Sequence, residues 1–181
     1  MGKFFLIFII VISLIVGGVY YFFGENLGLD QTHIKKAKIN ISSPEFVGGG
    51  TIPTRFTCNG DDVNPPIIFD RVPGDSKSLV FVIDDPDAGN PPLNHWLVFN
   101  INPSTTNIEE DEIPNALLGT NDFNELKYMG PCPMGEHKYY FRVYALDTML
   151  SLEEGVTRSE IDTAMKGRII GQGEFTGVYS H

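Results

Sequence analysis

The side chains with chemistry to offer are concentrated in two stretches. Residues 79–100 read LVFVIDDPDAGNPPLNHWLVFN, with Asp84, Asp85 and Asp87 at the end of one apolar run and His95 at the start of the next. Residues 128–147 read YMGPCPMGEHKYYFRVYALD, with His137 and Tyr139 opening a third apolar run. Carboxylates, imidazoles and a phenol at the ends of strands are the usual means of building a small polar pocket on a rigid sheet. Imidazoles and phenols donate to oxyanions, and a carboxylate can orient an imidazole through its ring N–H. The other reading is that Asp, Pro, Gly and Asn simply make loops, while a lone imidazole at a core edge finds a backbone partner.

These residues need strands to position them. Short Val-, Ile- and Phe-rich runs bounded by turn residues read as buried strands, and their alternation with Gly/Pro/Asn/Asp clusters from Ile39 to Asp147 reads as a β-sandwich or barrel. From Gly135 onward a period of two places His137, Tyr139, Phe141 and Val143 on one face. Gly130-Pro131-Cys132-Pro133 cannot be helical and reads as a loop of fixed shape. Asn102 to Lys127, with acids at 109–112, reads as a solvated loop. Thr157-Arg158-Ser159-Glu160 fits a capping box, with Ile161, Ala164, Met165 and Ile169 following at helical spacing. Gly171 and Gly173 are expected to end that helix before a strand from Glu174 to Tyr179.

The chain has 181 residues and a formal charge of −10, from 13 Lys+Arg against 23 Asp+Glu. That balance argues against nucleic acid, which needs a basic face, and against a polybasic grip on anionic lipid. Phe4 to Phe23 carry no charge. At about 1.5 Å per residue they span roughly the 30 Å of a bilayer core. No small-residue cleavage site follows, so a single transmembrane anchor is expected rather than a cleaved signal peptide. The expected organisation is an N-terminal cap at 1–3, an anchor at 4–23, a linker at 24–38 and one folded domain at 39–181. Lys3 favours an inside N-terminus, hence a single-pass membrane protein with its domain outside the cytoplasm. Cys58 and Cys132, the only cysteines, then have two readings: a disulfide bracing the pocket loops, or two free buried thiols.

Together, Asp85-Pro86-Asp87-Ala88, His95-Trp96, Gly130-Pro131-Cys132-Pro133 and His137-Lys138-Tyr139 with Tyr144-Ala145-Leu146-Asp147 resemble the phosphatidylethanolamine-binding proteins. The match is to their bacterial and archaeal Raf-kinase-inhibitor-like branch. Thr57-Cys58-Asn59-Gly60, Asn64-Pro65-Pro66, Asn121-Asp122-Phe123 and the closing Phe175 to Tyr179 agree with it. The resemblance implies a mostly β fold: an antiparallel sandwich with a Greek-key core and a short C-terminal helix. It also implies a pocket for a phosphate-like or carboxylate group at Asp85, His95, Pro131, His137 and Tyr139. Gly89, Met134, Lys138, Phe69 and Arg168 depart from the family's usual residues, outside that pocket.

The function expected is a membrane-tethered binding or regulatory protein, with no catalytic residue and no cofactor. Its ligand would be a small anion, whether a phospholipid headgroup or a phosphorylated partner. The alternative is a protease or kinase inhibitor acting by protein contact. A metal site or hydrolase is a third reading, since Asp85, His95 and His137 have the composition of a two-His, one-carboxylate triad. No H-E-x-x-H, C-x-x-C or nucleophile-elbow spacing supports it.

Overall fold

The computed structural model describes residues 36–181. Six strands form the larger sheet: β1 (Ala37–Lys38), β4 (Ser78–Asp85), β5 (Leu93–Ile101), β7 (Leu117–Leu118), β8 (His137–Leu146) and β9 (Ile169–Tyr179). Their order is β1-β9-β8-β4-β5-β7. A second sheet, ordered β2-β3-β6, is built from β2 (Asn40–Ser42), β3 (Ile67–Asp70) and β6 (Asn107–Ile108). All pairings are antiparallel except β1 with β9. Ala37 and Lys38, read from sequence as the end of a linker, thus form an edge of the large sheet against Gly171 and Gln172.

The period-two pattern divides the large sheet into two buried faces. Leu79, Phe81 and Ile83 of β4, with Tyr139, Phe141 and Val143 of β8, meet Ile41, Ile67 and Phe69 of the small sheet in one core. Val80, Val82, Leu97 and Phe99 face the other way, beneath Ile161 and Met165 of the helix α1 (Arg158–Met165). β4 is covered on both sides, which is why its sequence is a continuous apolar run rather than an alternating one.

The helix begins as its sequence requires. Thr157 accepts from the Glu160 N–H, and the Glu160 carboxylate accepts from the Thr157 N–H, closing the capping box. It ends earlier than the apolar spacing suggests, at Met165, with Gly167 at φ +74° just beyond. Ile169, Gly171 and Gly173 therefore lie inside β9, not in the helix or its cap. Gly173 has a different reason to be glycine. A Cβ there would crowd the Ile39 carbonyl and meet Val143 at 3.2 Å, because the N-terminal segment crosses closely at that point.

One part of the expected architecture is corrected. Among the described residues no helix is long and apolar enough to cross a membrane. Their only α-helix is the short α1. The sandwich preceded by a transmembrane helix, and the single-pass membrane localisation drawn from it, are replaced by a mostly β fold with one short helix near the C-terminus. The span expected at residues 4–23 lies outside the described residues.

Candidate functional site

Asp84 and Asp85 are neighbours in sequence that face opposite ways. The β4–β8 register sets Ile83 opposite Phe141 and Asp84 opposite Tyr140, which brings Asp85 to the inner face beside Tyr139 and His137. Asp85 Oδ2 lies 2.7 Å from His137 Nδ1. Its Oδ1 accepts from the backbone N–H groups of Asp87, at 2.9 Å, and Ala88, at 3.1 Å. The DPDA turn therefore folds around its own first carboxylate, as Asx turns do. Asp87 Oδ2 accepts from the Lys138 N–H at 2.8 Å, stapling this loop to the start of β8.

His95 reaches the same place through a β-bulge. Ile83 pairs with Trp96 and Asp84 with Asn94, leaving His95 as the extra residue of β5. Strict alternation from the buried Trp96 would turn His95 to the outer face. The bulge releases it, and its ring meets Tyr139 edge-to-face with centroids 5.3 Å apart. Bulges commonly re-aim a side chain in this way beside functional sites. His95 Nδ1 donates to the Met129 carbonyl at 2.7 Å, while the Met129 N–H returns a bond to the His95 carbonyl at 3.1 Å. Phe123 also meets the ring at its edge, centroids 5.3 Å apart.

The environment acts differently on each group. Burial pushes the His95 pKa below its ordinary value, outweighing the Met129 carbonyl and the carboxylates of Asp85, Asp84 and Asp122, all of which favour the charged ring. Burial first, then Asp85, lifts the Tyr139 phenol far above its ordinary value, so it stays a neutral hydroxyl.

The loop behind the site is fixed at several points. Cys58 and Cys132 are joined in a disulfide, and the Cys58 N–H donates to the Pro131 carbonyl at 3.1 Å. The Gly130 N–H donates to Asp62 Oδ1 at 2.7 Å. A Cβ on Gly130 would stand 2.6 Å from that oxygen and 2.7 Å from the Phe56 carbonyl, so the close approach requires glycine. Tyr128 adds a bond from its hydroxyl to the Phe56 carbonyl at 2.6 Å. Pro131 is buried just beyond the carbonyl that holds His95.

The five residues singled out from sequence thus lie on three strands, with Asp85 on β4, His95 on β5 and His137 and Tyr139 on β8, and in the loop that holds Pro131. The supporting residues were less visible: Met129 acts through its backbone, and Asp122 through a 2.6 Å bond from the Asn94 N–H. Asn121 ties the 121–127 loop by accepting from the N–H groups of Phe123 and Glu125. Asn121-Asp122-Phe123 did carry a signal, as one of the stretches that agree with the family resemblance. Asp85, His95 and His137 do not make a metal triad, for Asp85 is occupied by His137 and two backbone donors. No group of three or more metal-ligating side chains is found among the described residues. An open cleft of about 370 Å³ lies elsewhere, along Phe46 and Phe175, and its one carboxylate, Glu45, is paired with Arg55.

Comparison with known proteins gives a consistent answer. The family model described as phosphatidylethanolamine-binding protein matches residues 42–180. A UPF0098 protein of Methanothermobacter thermautotrophicus is 42% identical over 149 residues, covering 78% of this chain and 98% of its own length. A UPF0098 protein of Chlamydia trachomatis is 40% identical over 149 residues, again covering 78% and 98%. Among solved structures, a C. trachomatis homologue of phosphatidylethanolamine-binding protein superposes with a TM-score of 0.77 at 38% identity, over 81% of this chain and 99% of that one. E. coli YbcL, described as a member of the mammalian PEBP family, gives 0.74 at 26% identity, over 80% and 99%.

Proposed function

This chain belongs to the phosphatidylethanolamine-binding protein family, and we propose that it acts as a binding protein whose pocket takes a small anionic, phosphate-like group between His95, His137 and Tyr139. One observation carries the reading. The carboxylate nearest the two imidazoles, Asp85, has both oxygens committed, to the Asp87 and Ala88 N–H groups and to His137 Nδ1. It therefore orients a ring that faces the ligand and does not itself repel an anion through a free oxygen. Pro131 forms a wall, held in place by the disulfide and by Gly130.

Nothing in this arrangement activates a nucleophile. Among the described residues no serine or cysteine is hydrogen-bonded to either ring, and Cys132 is bridged. Binding rather than turnover is the chemistry these groups support.

Calorimetric titration of the full chain with inorganic phosphate is the test. Wild type should bind, and His137→Ala should weaken binding about tenfold to a hundredfold, the effect of one charge-assisted hydrogen bond. Equal affinity in wild type and variant would place the anion elsewhere.

A further inference from the structure

The bridge between Cys58 and Cys132 lies at the surface. Both cysteines are exposed, while Thr57, Gly130, Pro131 and Pro133 beside them are buried. Exposed disulfides are the ones open to exchange, because an attacking thiolate reaches a sulfur without unfolding the chain.

The two bridged segments are also held together without the sulfurs. The Cys58 N–H meets the Pro131 carbonyl at 3.1 Å, the Gly130 N–H meets Asp62 Oδ1 at 2.7 Å and the Tyr128 hydroxyl meets the Phe56 carbonyl at 2.6 Å. On the 128–131 side, all of these bonds fall before Cys132. Beyond it, among the described residues, no hydrogen bond is made by Cys132, Pro133, Met134, Gly135 or Glu136. Met134 is 105% exposed, so nothing packs on the tip of this segment. The bridge and the buried Pro133 are what tie it down before β8 starts at His137. An acceptor already stands beside one sulfur: Asn59 Oδ1 lies 3.8 Å from Cys58 Sγ, in range of a thiol hydrogen. Asn59 is itself fixed, its Nδ2 lying 2.8 Å from both the Tyr179 hydroxyl and His181 Nδ1.

We propose that Cys58–Cys132 is a thiol–disulfide exchange site, opened in the folded domain by a dithiol, and that its reduction frees residues 134–136 at the entry to His137. One thiolate of the dithiol attacks a bridge sulfur, which breaks the Cys58–Cys132 bond and forms a mixed disulfide. The second thiolate closes on the first and expels the protein sulfur. The dithiol is oxidised to its own disulfide, and its two hydrogens end on Cys58 and Cys132. What the bridge adds to folding, folding adds to the bridge, so the dithiol must be in excess. The freed segment leads directly into His137. On the anion-binding reading above, a ligand held there must then order the segment as it binds.

The test starts from the oxidised full chain and an excess of dithiothreitol, with thiols counted over time in native buffer and in urea. Direct attack should give two thiols per chain, at a native rate within about tenfold of that in urea, whereas attack that waits for unfolding would be slower by the unfolding constant, roughly 10³–10⁸. In the reduced chain, backbone order parameters from nitrogen NMR relaxation should fall below about 0.6 at residues 134–136 and stay unchanged in β4 and β5. Cys58→Ser with Cys132→Ser should match the reduced wild type and ignore dithiothreitol. Phosphate should bind the reduced chain about two- to tenfold more weakly, the cost of ordering one more side chain on binding.

Reduction only in urea, or loss of order in β4 and β5 on reduction, would overturn the exchange site. Unchanged order parameters at 134–136 would overturn the release and mean that Pro133 holds the segment alone. Equal phosphate affinity in the two states would overturn the link to the pocket. No phosphate binding by the oxidised chain would instead overturn the anion reading, and the thiol and NMR measurements then decide the exchange site. Should the serine variant fail to fold, reduction of the wild type decides alone.

Discussion

Asp85 and His137 meet at 2.7 Å, with the carboxylate 3% exposed and the imidazole 24% exposed. The partner away from water is the one with no spare oxygen, and the partner near water is the one with a free nitrogen. Asp85 is thus a positioning residue. Asp85→Asn should keep the turn, because an amide oxygen can still accept from Asp87 and Ala88. Its NH2 group would then face His137 Nδ1 and force the ring hydrogen to Nε2. Nitrogen NMR of labelled histidine should report that tautomer change in a folded protein, with phosphate affinity altered. An unchanged His137 tautomer would mean that Asp85 does not set the ring.

Much of the fold could be read from the chain because the core faces repeat at the period of a strand. The site was legible at Asp85, His137 and Tyr139 for the same reason, since each continues the alternation of its strand. His95 was found by type but not by geometry, because a bulge is an extra residue that alternation cannot announce. The helix end was misplaced because Ile169 keeps helical spacing while belonging to β9, where Gly171 and Gly173 leave room for Pro73 and the Ile39 carbonyl rather than capping a helix. The acids at 109–112 suggested only solvent, yet Ile108 and Leu118 in that same segment are buried.

Asp84 anchors the helix to the sheet. It is 2% exposed and takes Arg158 Nη1 at 2.6 and 2.7 Å, with Arg142 Nη1 at 3.0 Å. Arg158→Ala would leave a buried carboxylate half-paired, which costs about 3–5 kcal/mol. The double variant Asp84→Leu with Arg158→Ala should recover much of that loss, because the uncompensated charge is gone. Urea denaturation of the two variants decides; equal loss in both would mean that helix packing, not charge, is what Arg158 contributes.

The bridge between Cys58 and Cys132 spans 74 residues of sequence. Closing so long a loop restricts the unfolded chain, and removal of such a bridge typically costs about 2–4 kcal/mol. Cys58→Ser with Cys132→Ser should lower stability by that order. Thiol titration of the denatured, unreduced wild type should find no free thiol among these two. Undiminished stability would show that the bonds from Cys58 to Pro131 and from Gly130 to Asp62 hold the loop by themselves.

His95 ties stability to pH through burial. Its pKa in the folded protein lies below the ordinary 6.5, so below that pH the unfolded chain takes up a proton that the folded one refuses. The contribution is complete above the unfolded value near 6.5 and is lost as pH falls toward the lower folded value, with a slope of at most about 1.4 kcal/mol per pH unit for one proton. Other groups titrate in the same range, so the measurement is a difference. Urea denaturation of wild type and His95→Gln at pH 7.5 and 5.5 should show wild type losing more stability on acidification. Parallel losses would mean that His95 takes up its proton equally in both states, and that Phe123 and the bulge do not keep water from the ring.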